Sequence, residues 1–132
     1  MVLPVVDRLA KLNENCKFID SDRLQDTIEM VADESDPHGF HFLSLFLQEC
    51  HSDLHLLTAH LGDRPLTART AHRWAGRCAQ LGVVRMEGAG RKLQALAGGA
   101  TENELKEVVG KMEEDLRKME GLLKDFDSIV HY

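Results

Sequence analysis

Apolar residues recur every three or four positions along each long segment of the chain, and no segment alternates apolar and polar residues over the length of a strand. This spacing places the apolar side chains on one face of an α-helix, which turns about 100° per residue. A chain patterned in this way can bury its apolar faces only by packing helix against helix. The sequence therefore predicts an all-α fold.

Two short helices precede four long ones in this pattern. The short helices are predicted around residues 5–12 and 21–33. The first long helix is predicted to start at Asp36-Pro37, because proline is favoured in the first turn of a helix. Its apolar stripe consists of Leu43, Phe46, Leu47, Cys50, Leu54, Leu57 and Leu61.

Short polar turns or glycines separate the remaining three helices. The helix that follows "DRPLT" is predicted to stop near Gly82, and the next one at a glycine pair. Thr101 and Glu104 have the spacing of a capping box and begin the longest helix. The apolar stripe of that helix continues to Ile129.

The short connections also predict the arrangement of the helices. Because short loops make consecutive long helices antiparallel, the expected architecture is an up-down four-helix bundle with two short N-terminal helices. A chain of 132 residues is expected to form a single domain. Its N-terminal helices would occupy about residues 1–35 and the bundle about residues 37–130.

Composition excludes several classes of protein. The net charge of −6 argues against nucleic-acid binding, which requires a basic face. No apolar run approaches the ~20 residues of a membrane span, and the first residues do not resemble a signal peptide. Cys16, Cys50 and Cys78 form no C-x-x-C pair, which favours reduced, mostly buried thiols. We therefore expect a cytoplasmic and nuclear protein.

The charge is nevertheless unevenly distributed. Between residues 64 and 92 the only acidic residue is Glu87. Two interpretations are open: a solvated helix surface, or a positive field that favours an acidic or phosphorylated partner. The basic residues of this segment are Arg64, Arg69, Arg73, Arg77, Arg85, Arg91 and Lys92.

Other chemistries lack the residues that they require. Metal sites of the zinc-finger, metalloprotease or di-iron type need ligand spacings that are absent here, so no metal is expected. The glycines at 88, 90, 98 and 99 follow no strand, which argues against a nucleotide-binding loop, and there is no G-x-S-x-G. Surface positions are predicted for His38, His41, His51, His55 and His60.

His72 has a different setting. On a helical wheel Trp74 and Cys78 lie opposite it, on the side that faces the core. Ala75, Gly76 and Ala79 lie on the same side as His72, although glycine within a helix costs roughly 1 kcal/mol relative to alanine. An exposed imidazole beside such small residues has a nitrogen free to act as a nucleophile.

The run "AHRWAGRCAQLG" resembles the signature of histidine-containing phosphotransfer (HPt) proteins. His72, Trp74, Gly76, Leu81 and Gly82 fall in register with that signature, where the histidine is the phosphorylated residue. The stretch "VADESDPHGFHFLSLFLQECHSDL" is similar to the segment that opens the bundle in plant cytokinin-relay members. The resemblance extends from about residue 20 onward.

The resemblance implies a phosphoryl carrier rather than a complete enzyme. His72 would accept a phosphoryl group from the receiver domain of a hybrid sensor histidine kinase and pass it to the receiver of a response regulator. The receiver supplies Mg²⁺ and the acidic pocket, so the carrier needs no cofactor of its own, and we expect a monomer. The docking residues that the resemblance implies are Leu24, Ile28, Ala75, Gly76, Ala79 and Gln80.

The chain departs from the family at Ala75, where a lysine is usual. Arg69 lies about 60° around the helix from His72 and one turn earlier, so we expect it to supply part of the missing positive charge. Two alternatives stay open. The chain could be a module that binds receivers without efficient transfer, or a helical scaffold that carries the motif by chance.

Overall fold

The computed structural model describes residues 2–126 and 129, and within them the chain is helical with no β-strand. This confirms the predicted all-α class. A short 3₁₀ helix, Ala10–Asn13, follows the first α-helix. The α-helices are α1 (Pro4–Leu9), α2 (Ser21–Val31), α3 (Phe40–Ala59), α4 (Arg64–Leu81), α5 (Val84–Leu96) and α6 (Glu102–Leu123).

Side-chain caps fix where three of the helices begin. The carboxylate of Asp20 accepts a hydrogen bond from the first turn of α2, and that of Asp63 does the same for α4. Thr101 accepts from the backbone N–H of Glu104 at 3.2 Å, as its sequence spacing predicts. These bonds satisfy N–H groups that have no partner within the helix.

The start of α3 differs from the prediction. The helix begins at Phe40 rather than at Asp36-Pro37. Gly39 precedes it with φ of +71°, which glycine adopts without strain, and a Cβ atom there would lie 2.5 Å from Cγ2 of Ile28. Asp36 still serves the helix, because its carboxylate accepts from the N–H groups of His41 and Phe42.

The end of α6 also differs from the prediction. Helix α6 ends at Leu123, whereas its apolar stripe predicts a helix as far as Ile129. Ile129 is buried all the same, and Phe126 packs against the core after the helix has ended. The predicted limit of the bundle near residue 130 lies outside the described residues.

All six α-helices contribute to one apolar core. Helix α4 packs against α5 and α3, α6 packs against α5 and α3, and α1 and α2 lie against α6 and α4 respectively. The stripe predicted for α3 is buried along its whole length, from Leu43 to Leu61. Among the described residues, no helix combines the length and the apolar character needed to cross a membrane.

Candidate functional site

The side of α4 that its helical period predicts to face the core is buried. Trp74 is fully buried, and its Nε1–H donates a hydrogen bond of 2.8 Å to the carbonyl oxygen of Met86 on α5. Thr67, Thr70 and Cys78 are buried on the same side. The helix ends at Gly82, whose φ of +81° places it in the left-handed region.

Helices α4 and α5 pack very closely along the flank of α4 that contains Ala75. A Cβ atom at Gly90 would lie 2.6 Å from the Trp74 ring and 3.3 Å from Cβ of Ala75. Ala75 is consequently 0% exposed, so this predicted docking residue is not part of the accessible surface. It lies next to His72 on the wheel, but α5 covers it.

His72 is exposed on the outer side of α4, as predicted. Its Nδ1 lies 3.3 Å from the side-chain amide nitrogen of Gln94 on α5. Within the described part of the chain, Nε2 of the ring has no hydrogen-bond partner. Ala68, Arg69, His72 and Gln94 line an open pocket around the ring.

The surface beyond His72 toward the end of α4 is open but bounded by α2. A Cβ atom at Gly76 would meet nothing within 4 Å, and Gln80 is exposed. Ala79 is half-buried. The carbonyls of Ala79 and Gln80 accept hydrogen bonds from Arg23 (3.2 Å) and Thr27 (2.8 Å) of α2.

Leu24 and Ile28 do not face this surface. Both side chains are 0% exposed, because the inner side of α2 packs into the core. In this structure the two predicted docking residues are therefore not accessible to a partner. The exposed apolar residue of α2 is Met30, which is 72% exposed.

Two of the arginines near His72 are held by a buried acid. Asp53 on α3 is only 2% exposed, and its Oδ1 accepts from Nε (3.2 Å) and Nη2 (2.9 Å) of Arg73. Its Oδ2 accepts from Nη1 of Arg77 at 2.5 Å, and Nε of Arg77 lies 2.6 Å from Glu49. Both guanidinium groups are thus turned toward α3.

The electrostatics of Arg77 follow from this contact. Burial alone would lower the pKa of its guanidinium, but the hydrogen bond and charge of Asp53 raise it, with a smaller contribution from Glu49. Arg77 therefore stays charged, and its charge neutralises those of Asp53 and Glu49.

Other basic residues counted in the sequence also have partners within the fold. Arg85 lies 3.5 Å from Asp115, Arg91 pairs with Glu87 at 2.8 Å, and Arg64 donates to a backbone carbonyl. Within the described residues, the side chains of Arg69 and Lys92 have no such partner. Four of the seven basic residues, namely Arg73, Arg77, Arg85 and Arg91, are thus paired with acids, and unpaired Arg69 lines the His72 pocket.

The other histidines form no cluster of metal ligands. In the part of the chain that is described, no group of three or more His, Cys, Asp or Glu side chains is placed to hold a metal ion. His51 is partly buried, and its Nε2 lies 2.8 Å from Glu120 on α6. The surface positions predicted for the others agree with the exposure of His38, His41, His55 and His60.

Sequence reasoning missed two residues of this region. Asp53 falls at the edge of the apolar stripe of α3, only three residues after Cys50, and an acid at that position is a signal of a buried ion pair. Gln94 carried no such signal, because its contact with His72 depends on how α5 is placed against α4.

Comparison with protein-family models, curated proteins and solved structures gives no match to this chain.

Proposed function

We propose that this chain is a phosphorelay carrier of the HPt type, in which His72 accepts a phosphoryl group from a receiver aspartate and later passes it to another. The observation that carries the proposal is the state of the His72 ring. It is exposed at the middle of a long helix, one nitrogen is contacted by Gln94, and the other faces solvent without a partner in the described residues.

The ring contact suggests which nitrogen reacts. If Nδ1 carries the proton and donates it to the amide oxygen of Gln94, the lone pair is left on Nε2. In the structure the amide nitrogen of Gln94 lies at Nδ1, so this arrangement requires the amide group to turn by half a revolution about its last side-chain bond, which brings its oxygen to Nδ1. Gln94 then holds the ring in the tautomer whose outward nitrogen is nucleophilic.

The transfer itself is a displacement at phosphorus. Nε2 of His72 attacks the phosphorus atom of an aspartyl phosphate, an N–P bond forms, and the aspartate oxygen leaves as a carboxylate. The proton on Nδ1 stays in its hydrogen bond to Gln94, which favours the positive charge that develops on the ring. Phosphoryl transfer depends mostly on positioning and charge neutralisation, so the receiver's Mg²⁺ completes the site.

A docked receiver would lie over the open part of α4. Gly76 presents no side chain above its surface, and Gln80 extends the exposed strip by one turn. Met30 of α2 offers an exposed apolar contact in place of the buried leucine and isoleucine of that helix. We further propose that α3, α4, α5 and α6 form the antiparallel four-helix bundle that presents this strip, in a monomer of the cytoplasm and nucleus.

A labelling experiment tests the proposal. We expect the protein to acquire acid-labile, base-stable phosphate when it is incubated with a phosphorylated receiver domain and Mg²⁺. His72→Gln should abolish the label while circular dichroism and melting temperature stay nearly unchanged, since substitution of an exposed residue usually alters stability by less than ~0.5 kcal/mol. His55→Gln, at another exposed histidine, is the matched control and should keep the label. Label that survives in His72→Gln would refute the assignment.

The burial of Ala75 favours a second candidate, a module that binds receivers without passing the phosphoryl group on. A lysine at this position would have to displace α5, so the cation usual in the family is absent here. The same experiment separates the candidates: a stable complex with a receiver but no label indicates binding alone. Neither complex nor label would indicate a helical scaffold without a relay function.

A further inference from the structure

Two histidines and two glutamates line a groove between α3 and α6. His51 and His55 belong to its α3 wall, and Glu113 and Glu120 belong to its α6 wall. Side chains four residues apart stand on the same face of a helix, with Cβ atoms about 5–6 Å apart. A pair of helical histidines at this spacing can bind one metal ion, as the two histidines of the H-E-x-x-H motif do with zinc.

The contact of His51 with Glu120 adds a carboxylate to this pair. Nε2 of His51 lies 2.8 Å from Oε1 of Glu120, whose side chain is only 16% exposed. Two ligand atoms of a tetrahedral zinc ion are roughly 3.3 Å apart, because each is bound at about 2.0–2.1 Å. Opening the contact by about half an ångström therefore lets a metal ion take the place of the hydrogen bond. Sequence spacing does not reveal this ligand, since it meets His51 only through the packing of α6 against α3.

His55 can complete the set of ligands by turning its ring. Its side chain is exposed and has no hydrogen-bond partner within the described residues. In that part of the chain no three ligand groups are already gathered around one point. The site therefore forms when His55 turns toward His51, and exposed side chains change rotamer within nanoseconds.

The other charges of the groove do not oppose a cation. Arg117 lies on the α6 wall, but its guanidinium pairs with Glu113 at 2.5 Å, so the two charges cancel. Glu120 forms no ion pair with a lysine or arginine among the described residues, so its negative charge remains available. The buried side chains of Leu54 and Leu116 border the groove, and the limited access of water strengthens attraction between charges.

We propose that His51, His55 and Glu120 form a binding site for a divalent transition metal ion, such as Zn²⁺, that joins α3 to α6. Two imidazoles and one carboxylate leave the fourth position of a tetrahedral ion to water. Mg²⁺ and Ca²⁺ prefer oxygen ligands, so this donor set selects against both. The site is therefore separate from the Mg²⁺ that a receiver would supply for transfer to His72.

Isothermal titration calorimetry of the full chain with zinc sulfate tests the proposal. The measurement uses a Cys16→Ser background, because an exposed thiol can also bind zinc. We expect one equivalent of zinc to bind, and an excess of Mg²⁺ not to displace it. The melting temperature should rise by about 5–15 °C when free zinc is about 100 times its Kd.

His55→Gln is the decisive variant, because the exposed ring has no partner in the described part of the chain and its loss should leave the fold unchanged. It should weaken zinc binding at least as much as the roughly 10- to 100-fold that loss of a supporting partner costs at zinc sites. His60→Gln is the matched control, since it removes an exposed histidine that does not line the groove. His72→Gln should bind zinc like the parent protein, which keeps this test independent of the phosphorelay.

Glu120→Gln tests the link between the two helices. It should weaken zinc binding and remove most of the rise in melting temperature, because the carboxylate is the ligand that α6 provides. The proposal is overturned if His55→Gln binds zinc as tightly as His60→Gln does. It is also overturned if Glu120→Gln keeps the full rise in melting temperature with zinc.

Discussion

Helix α4 has a closed side and an open side, and they differ in how their polar groups are satisfied. On the closed side the Trp74 indole donates to a carbonyl of α5, and Asp53 accepts from Arg73 and Arg77. On the open side Arg69 has no partner among the described residues, and His72 has only the contact with Gln94. The same helix thus carries groups whose interactions are complete inside the fold and groups left available to a second molecule.

The difference predicts opposite consequences of mutation. Residues of the closed side should control stability, because their removal leaves a cavity or an unpaired buried group. Residues of the open side should control transfer with little effect on folding.

Trp74→Ala should give the largest loss of stability. Removing a fully buried tryptophan costs on the order of 3–5 kcal/mol, and the bond to Met86 is lost with it. Urea denaturation followed by circular dichroism measures the change. Met30→Ala is the control, since that side chain is 72% exposed and its loss should alter stability by less than ~0.5 kcal/mol.

The single tryptophan of the chain provides an independent measurement. Fluorescence of the folded protein should resist quenching by aqueous iodide, because the ring lies between α4 and α5. Ready quenching, or equal losses of stability in Trp74→Ala and Met30→Ala, would show that Trp74 lies outside the core. The side of α4 that contains it would then not be closed.

Asp53→Asn should have the next largest effect, about 1–3 kcal/mol of lost stability. The variant removes the charge that Arg73 and Arg77 share and turns amide hydrogens toward their guanidinium groups. Glu113→Gln is the matched control, because its ion pair with Arg117 is largely exposed and contributes little.

Salt dependence distinguishes the two ion pairs further. The contribution of the Asp53 cluster should persist in high salt, because the carboxylate is buried, whereas that of Glu113 should be screened. If Asp53→Asn destabilises no more than Glu113→Gln, the cluster does not hold α3 against α4.

The inner stripe of α4 and its outward histidine could be predicted from sequence, because a helical period fixes the angle of each side chain. The period does not show which neighbouring helix covers a side chain that lies between the inner and outer sides of α4. Ala75 lies only about 60° from His72, yet it is buried because Gly90 lets α5 approach that flank closely.

The same limit applies to α2, where the sequence predicts docking residues and the structure buries their side chains. Leu24 and Ile28 lie on its apolar side, and α2 packs closely against neighbouring segments. A Cβ atom at Gly82, which follows α4, would lie 3.2 Å from the backbone nitrogen of Leu24, and one at Gly39 would lie 2.5 Å from Cγ2 of Ile28. Glycines at positions of close approach decide these contacts, and a single sequence does not reveal which element each glycine will meet. Gln94 was missed for a similar reason, since its contact with His72 joins two helices.

The burial of Ala75 also changes what would compensate for the missing lysine. A lysine side chain at this position would have to pass through the contact with Gly90, so Ala75→Lys should destabilise the fold rather than restore a cation beside the ring. A positive charge for the phosphoryl group must therefore come from another residue, and Arg69 lines the pocket of His72.

Arg69→Ala should have the smallest effect on stability and a clear effect on transfer. The exposed, unpaired side chain contributes little to folding, so the melting temperature should hardly change. A charge-assisted hydrogen bond to the phosphoryl oxygens is worth about 1.5–3 kcal/mol, so its loss should slow transfer roughly 10- to 100-fold. Single-turnover transfer from a phosphorylated receiver, at saturating concentration, separates this chemical effect from weaker docking.

Lys92→Ala is the matched control for Arg69→Ala, because it removes the same charge from a side chain that lines a groove between α5 and α6 instead of the His72 pocket. Loss of long-range attraction alone would affect both variants similarly and would disappear at saturation, since it acts on encounter. Contact with the phosphoryl group would lower the saturated rate in Arg69→Ala only. Arg69→Lys should then recover part of the rate, because it keeps the charge but not the two-pronged geometry of the guanidinium. An unchanged saturated rate in Arg69→Ala would mean that the open side of α4 provides the nucleophile and the docking surface, while the cations come from the receiver.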